Sequence, residues 1–251
     1  RHLTDIYSVD LAYQNQGKIM YEYVLGVYDF LERLQARYPQ LLIEGCSGGG
    51  GRFDLGMLYY TPQIWCSDNT DAIERIKIQY GTSFGYPIST MGSHVSAVPN
   101  HQTGRMTPFN TRGIVAMAGS FGYELDLNLI SPEEKEMVKS QIKRFKAQWD
   151  TIHNGTYYRL TNPFEKSYYS AWEFVDQSKK KALLNVVTLM TECNPATYYV
   201  KLKGLDPEGT YQIVGTDKVY YGSALMHAGL PIPRMKNEYE GLQFEFVKLD
   251  K

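Results

Sequence analysis

Cysteine is scarce in this sequence. Cys46, Cys66 and Cys193 are the only three among 251 residues, and no two of them form a Cys-x-x-Cys pair. An odd count without that spacing argues against a disulfide framework and against a thiolate metal site. The five histidines are scattered and show no metal-ligand spacing, so we expect no metal. A reducing, cytoplasmic compartment fits this cysteine usage best.

A charge of one sign and a long apolar run are also missing. The chain has 26 Lys plus Arg against 27 Asp plus Glu, for a net charge of -1. This balance argues against nucleic acid as a partner and against a polybasic membrane anchor. No apolar run approaches the roughly 18 residues of a membrane helix, so we expect no membrane partner. The chain begins at Arg1 without an initiator Met or signal peptide, which suggests processing or a start within a larger protein.

Short apolar runs alternate with amphipathic helical patterns over the first 152 residues. The pattern predicts helices at residues 17–38, 53–60, 71–80, 107–117 and 131–149, strands at 41–43, 63–66 and 121–127, and a strand and loop at 87–95. Such alternation predicts a parallel sheet covered by helices. From residue 153 to 251 the pattern changes to strands alone, at 157–160, 170–175, 182–187, 198–202, 211–214 and 242–247. We expect a separate antiparallel β-sandwich there.

Four successive glycines stand out at residues 44–54, which read EGCSGGGGRFD. Glycine runs are costly in backbone entropy and usually serve left-handed turns or close backbone approach. The Lys-Ser/Thr of a phosphate loop is absent. Two interpretations stay open. The segment is either a flexible surface loop, or a binding-site wall made of backbone for a compact polar ligand. In the second case Cys46 and Ser47 add small side chains to that wall.

A second polar segment, WCSDNTD at residues 65–71, follows a predicted strand and precedes a helix. Asp68 and Asp71 are either helix caps or include a general acid/base. Asp71 fits the first helical turn, whereas Asp68 lies nearer the strand end, where catalytic residues of parallel barrels sit. Trp65 suits sugar chemistry because aromatic faces pack on pyranose rings. A third polar loop, PNHQTGR at residues 99–105, is expected to be a structural network.

These segments resemble the microbial α-galactosidases of glycoside hydrolase family 36. The loop at residues 99–105 and the stretch FGYELD at 121–126 fit the same family. The resemblance covers nearly the whole chain and weakens after about residue 155. It implies a retaining glycosidase on a (β/α)₈ TIM barrel that cleaves terminal α-1,6-galactosyl residues from melibiose, raffinose and stachyose, so the partner is an α-galactoside oligosaccharide. It also implies no metal or organic cofactor and a full-length homotetramer.

Roles for individual residues follow from the resemblance. The family's acid/base is the Asp of a Ser-Asp-Asn motif, which falls on Asp68. Its galactose-contacting turn falls on Cys46, Ser47 and Gly48. The resemblance also extends to Arg52 and Trp65 as substrate contacts.

The family's nucleophile does not match any position of this chain. It lies in a Lys-Trp-Asp-Met-Asn segment, which in relatives runs directly into a stretch like residues 1–7, and Asp5 is not its counterpart. We therefore expect residues 1–152 to be the second half of the catalytic barrel and residues 153–251 the carboxy-terminal β-sandwich. The whole enzyme would hydrolyse α-galactosides, and the isolated chain would be inactive. Two alternatives remain: a galactosyl transferase of the raffinose or stachyose synthase type, and a non-catalytic sugar-binding fragment.

Overall fold

The computed structural model describes residues 7–249, which form two compact units. The first contains the residues up to Asp68 together with Thr90–Gly92, and the second contains the remainder. Residues 1–6, which include Asp5 and most of the stretch expected to follow the nucleophile segment, lie outside the described residues.

The first unit is built on a short parallel strand pair with two helices. Its elements are α1 (Lys18–Arg37), β1 (Glu44–Gly45), α2 (Leu55–Tyr60) and β2 (Gln63–Ile64). Strands β1 and β2 are parallel, with Glu44 opposite Gln63, and Ile64 forms a further parallel bridge to Met91. Helix α1 ends just before Pro39, because proline cannot continue the hydrogen-bond ladder. The predicted parallel pairing is therefore present.

The first strand begins later than predicted. Leu41 and Leu42, expected in a buried strand, are 44% and 87% exposed. The backbone N–H of Leu41 donates to the carbonyl of Tyr38 at 3.0 Å in a turn that follows α1, so pairing with β2 starts only at Glu44. The prediction of a buried strand at residues 41–43 was wrong for this reason.

The α/β part of the second unit contains α3 (Ala72–Thr82), β3 (Gly92–Ser96), α4 (Phe109–Ala116), β4 (Ser120–Glu124) and α5 (Pro132–His153). Strands β3 and β4 are neighbours in one sheet. Val95, Phe109 and Ala116 form the centre of a small core. Helix α5 starts with a capping box: Ser131 accepts from Glu134 N–H, and the Glu134 carboxylate accepts from Ser131 N–H. Its start is where the sequence predicted it, and its end lies four residues beyond the predicted one.

The remaining elements form the carboxy-terminal part. They are β5 (Thr156–Arg159), β6 (Tyr169–Val175), β7 (Lys181–Thr188), β8 (Tyr199–Val200), β9 (Thr210–Ile213), β10 (Val219–Tyr221), α6 (Gly222–His227), β11 (Leu230–Pro231) and β12 (Gly241–Lys248). One six-stranded antiparallel sheet has the order β10-β9-β12-β7-β6-β5. Strands β8 and β11 form a separate antiparallel pair.

A hydrophobic core lies between these two sheets. Leu184, Val186 and Phe246 contribute from the six-stranded sheet, and Leu202 and Leu225 from the other side, all fully buried. The predicted antiparallel sandwich is confirmed. Within residues 7–249, no helix is both long and apolar enough to cross a membrane.

Candidate active site

Asp68 lies just past the carboxyl end of β2, in the first unit. Its side chain is exposed, and its Oδ1 accepts a hydrogen bond from the indole Nε1–H of Trp65 at 3.1 Å. The two residues are three apart, so the contact is local and fixes the direction of the carboxylate. The polar edge of the indole ring, rather than its face, therefore meets the acid.

The glycine segment forms a tight loop after β1. Ser47, Gly48, Gly49 and Gly50 have φ of 104°, 67°, 70° and 92°, all on the left-handed side of the backbone map. Gly51 N–H donates to the Ser47 carbonyl at 3.2 Å and closes the loop. The conformation of Gly48, Gly49 and Gly50 explains most of the glycine run, since glycine adopts it without strain, and Ser47 is the one residue of the four that bears a side chain there.

This loop packs directly on the backbone that carries Asp68. A Cβ atom on Gly49 would lie 2.6 Å from the backbone N of Asp68, and one on Gly50 would lie 3.0 Å from the carbonyl O of Cys66. The close approach expected from the glycines is thus an approach to the second polar segment of the same chain. The sequence showed the two segments, but it carried no signal that they touch.

The predicted substrate contacts differ in how exposed their side chains are. Cys46 and Gly48 are exposed, Ser47 is buried, and Trp65 is half-buried. Arg52 Nη1 donates to the Tyr23 hydroxyl of α1 at 2.7 Å, so α1 holds the guanidinium. No sequence signal pointed to Tyr23 as the partner of Arg52, because the two residues are far apart in the chain and Tyr23 lies within a predicted helix.

Other carboxylates near this loop in the sequence have structural partners. Gln63 donates to Glu44, and the Asp54 carboxylate accepts from Met57 N–H at 2.8 Å at the start of α2. The Tyr28 hydroxyl also donates to Asp54, at 3.1 Å. Asp68 is therefore the carboxylate of this segment best placed to exchange a proton with a ligand.

Asp71 belongs to the second unit and is the N-cap of α3. Its Oδ1 accepts from Ile73 N–H at 2.8 Å, and its Oδ2 pairs with Arg105 Nη1 at 2.6 Å and accepts from the Thr103 hydroxyl. Burial alone would raise the pKa of the Asp71 carboxyl, but these hydrogen bonds and the Arg105 charge outweigh it and lower the pKa below its usual value. The helix-cap interpretation of Asp71 is confirmed.

The loop at residues 99–105 is a structural network, as expected. The Asn100 Oδ1 accepts from the N–H groups of Gln102 and Thr103 at 3.0 and 3.1 Å, and Arg105 joins the loop to Asp71. The Arg105 guanidinium also lies 5.2 Å from the centre of the Tyr239 ring. Tyr239 is more than 130 residues away in the chain and gave no sequence signal of this contact.

An exposed carboxylate, oriented by an indole N–H, lies just past the carboxyl end of a parallel strand, the end at which barrel enzymes carry their catalytic residues. The family models that match this chain are those of glycoside hydrolases. The Melibiase family matches residues 1–155, and the glycosyl hydrolase family 36 C-terminal domain matches residues 169–246. The chain therefore belongs to the Melibiase family, and the resemblance to glycoside hydrolase family 36 is confirmed.

Similar curated proteins are α-galactosidases. The chain is 57% identical over 99% of its length to the bifunctional α-galactosidase/sucrose kinase AgaSK of Mediterraneibacter gnavus. It is 51% identical over its full length to the α-galactosidase Mel36A of Lactobacillus acidophilus. It spans only 26% and 34% of those two proteins, respectively.

Solved structures of this family share the fold. The galactosidase domain of AgaSK superposes with a TM-score of 0.91 at 60% identity, over 93% of this chain and 32% of that one. An α-galactosidase AgaA variant from Geobacillus stearothermophilus, in complex with raffinose, gives a TM-score of 0.95 at 45% identity, over 99% of this chain and 34% of that one. Both matches support a barrel segment followed by a β-sandwich.

Proposed function

We propose that this chain is part of a retaining α-galactosidase that hydrolyses terminal α-1,6-galactosyl residues of melibiose, raffinose and stachyose, with Asp68 as the general acid/base. The exposed Asp68 carboxylate, held by Trp65 Nε1–H at 3.1 Å, is the observation that carries the proposal. The α-galactosidase names of the relatives and the AgaA complexes with raffinose and stachyose support the substrate class.

In this mechanism Asp68 acts twice. Its carboxylic acid first donates a proton to the glycosidic oxygen of the leaving group, while a nucleophilic carboxylate outside this chain bonds to the anomeric carbon. The Asp68 carboxylate then takes a proton from water, whose oxygen attacks the same carbon and releases the nucleophile. The Trp65 N–H keeps the Asp68 oxygens aimed at one position through both steps.

The loop after β1 would form one wall of the galactose site. Cys46 and Gly48 are exposed and available for direct contact, whereas buried Ser47 would act through its backbone. Arg52 is positioned by Tyr23, and Trp65 offers its ring beside Asp68. We further propose a cytoplasmic homotetramer for the full-length enzyme and a domain border between residues 152 and 153, where α5 ends.

Replacement of Asp68 by Ala in the full-length enzyme tests the acid/base role. Natural substrates have poor leaving groups and need the proton, so kcat/KM should fall by about 10²-fold or more on raffinose. Activated aryl galactosides should lose much less activity, and azide should restore it by replacing water. Asp217→Ala, at an exposed aspartate of the second unit, is the control. Equal loss on both substrate types without azide rescue would contradict the role.

The isolated 251-residue chain should not hydrolyse melibiose. Retaining hydrolysis needs two carboxylates about 5 Å apart, and the resemblance assigns only Asp68 to this chain. Galactose release by the purified chain, measured with a coupled galactose dehydrogenase assay, would contradict this expectation if Asp68→Ala abolished it.

A further inference from the structure

A cavity lies at one edge of the carboxy-terminal sandwich. It has a volume of about 140 Å³ and is formed by the start of β6, the end of β7 and the segments leading into β8 and out of β11. None of the predicted active-site residues lines it. The lining residues used below are Tyr168, Tyr169, Tyr198, Thr188, Glu192 and Arg234.

Three tyrosine rings make up the aromatic part of the lining. Tyr168 and Tyr198 are stacked, with ring centres 5.7 Å apart and planes at 22°, and Tyr169 lies 5.3 Å from Tyr198 at 51°. All three side chains are half-buried, so each ring is held by its neighbours and still reaches the cavity. Fixed aromatic faces lose little conformational entropy when a ligand binds.

The polar part of the lining has no net charge. Among its fourteen residues, Glu192 carries the only negative charge and Arg234 the only positive one. The Tyr168 hydroxyl donates to the Glu192 carboxylate, which holds that acceptor at the hydroxyl edge of the ring, and Arg234 is an exposed member of the lining. Threonine side chains, among them Thr188, add hydroxyl groups. With one charge of each sign, the lining offers no net attraction to an anion or a cation, and its hydroxyl groups suit an uncharged ligand rich in hydroxyls.

The walls of the cavity are joined by the backbone. Leu189 N–H donates to the Tyr168 carbonyl at 2.8 Å, and Ile232 N–H donates to the Tyr198 carbonyl at 2.8 Å. These bonds join the backbone at Tyr168 and Tyr198 to the segments that follow β7 and β11. The cavity is therefore formed before any ligand arrives, as small-molecule sites usually are.

We propose that this cavity binds one ring of an uncharged saccharide. Its volume equals that of about five water molecules, which is room for a single sugar ring but not for a nucleotide or a helix. The C–H face of a pyranose would pack on the tyrosine rings, whose faces are electronegative. Sugar hydroxyls would donate to Glu192 and accept from Arg234. The site shares no residue with the Asp68 site and stands or falls independently of the proposed hydrolysis.

Saturation-transfer NMR on the 251-residue chain tests this, with galactose, sucrose and raffinose as probes. We expect saturation of at least one sugar, with tenfold weaker binding in Tyr198→Ala and several-fold weaker binding in Glu192→Gln and Arg234→Ala. Glu192 and Arg234 are exposed, so these two variants stay informative if Tyr198→Ala fails to fold. Tyr221→Ala, at an exposed tyrosine outside the cavity, should bind as the parent chain does.

Three results would overturn the proposal. The first is the absence of saturation transfer from all three sugars, and the second is unchanged binding in both Glu192→Gln and Arg234→Ala. The third is a changed sedimentation coefficient with unchanged sugar binding when the cavity residues are replaced. That third result would assign the cavity to a contact between copies of the chain.

Discussion

At the scale of single residues, the contact between Trp65 and Asp68 shows what local spacing predicts. Both residues follow the same strand and lie three positions apart, so the sequence placed them together. Which edge of the indole meets the carboxylate depends on the side-chain rotamers, which the sequence pattern does not determine. The structure shows that the N–H is used.

Trp65→Phe should therefore weaken the orientation of Asp68 while keeping an aromatic ring. In the full-length enzyme we expect kcat/KM on raffinose to fall about 3- to 10-fold, because one donor to the carboxylate is lost. Aryl galactosides with good leaving groups should change less. Steady-state kinetics on both substrates measures this, and Trp149→Phe, at a partly exposed tryptophan of α5, is the control. An equal loss on both substrates would indicate ring contact with the sugar instead.

Asp71 marks the limit of prediction at the residue scale. Its role as a helix cap could be predicted, because the cap and the first turn of α3 are adjacent in sequence. Its pairing with Arg105 could not, because the two residues are 34 positions apart and meet only in the folded unit.

At the scale of elements, signals confined to a few neighbouring residues were the dependable ones. Ser131, Pro132 and Glu134 specified the start of α5 through the capping box. The short elements β10, α6 and β11 were missed, because two to six residues are too few to show a periodic pattern. The glycine loop falls between these cases: its turn could be predicted, but the backbone it packs against could not.

Gly49→Ala should damage this loop more than backbone strain alone would. Gly49 has φ of 70°, and its new Cβ would meet the backbone N of Asp68 at 2.6 Å. Gly215 has φ of 78° with nothing within 4 Å of the position, so Gly215→Ala carries the strain without the clash. We expect a loss of about 1–2 kcal/mol of unfolding free energy for Gly215→Ala.

Gly49→Ala should lose more stability than its control and at least tenfold more activity, because the Asp68 backbone must move. Urea unfolding and raffinose kinetics of the full-length enzyme measure the two effects. Equal stability and activity in the two variants would show that the loop can shift away from Asp68 at no functional cost.

At the scale of the whole molecule, the change from alternating helices and strands to strands alone predicted the two types of fold. The predicted pattern could not reveal a polar residue inside the sandwich. Glu173 of β6 is fully buried, its Oε2 accepts from Lys203 N–H at 2.8 Å, and its Oε1 has no hydrogen-bond partner among residues 7–249. Ala171 and Val175, on the same face of β6, belong to the core between the two sheets. The strand predicted at residues 170–175 therefore carries a carboxyl into that core.

This carboxyl should make stability depend on pH. Burial raises the pKa of Glu173 from 4.5 to about 8, against the opposing effect of the Lys203 N–H and charge. Between these two values the folded chain holds a proton that the unfolded chain releases, so the free energy of unfolding falls as pH rises. The slope from this group is at most about 1.4 kcal/mol per pH unit.

Glu173→Gln keeps the acceptor for Lys203 and cannot ionise. It should be more stable than the parent chain at pH 8–9 and should lack this slope, whereas Glu208→Gln at an exposed position should keep it. Urea unfolding at pH 5, 7 and 9 measures the difference, and parallel pH profiles for the parent chain and Glu173→Gln would show that Glu173 is already ionised in the folded core.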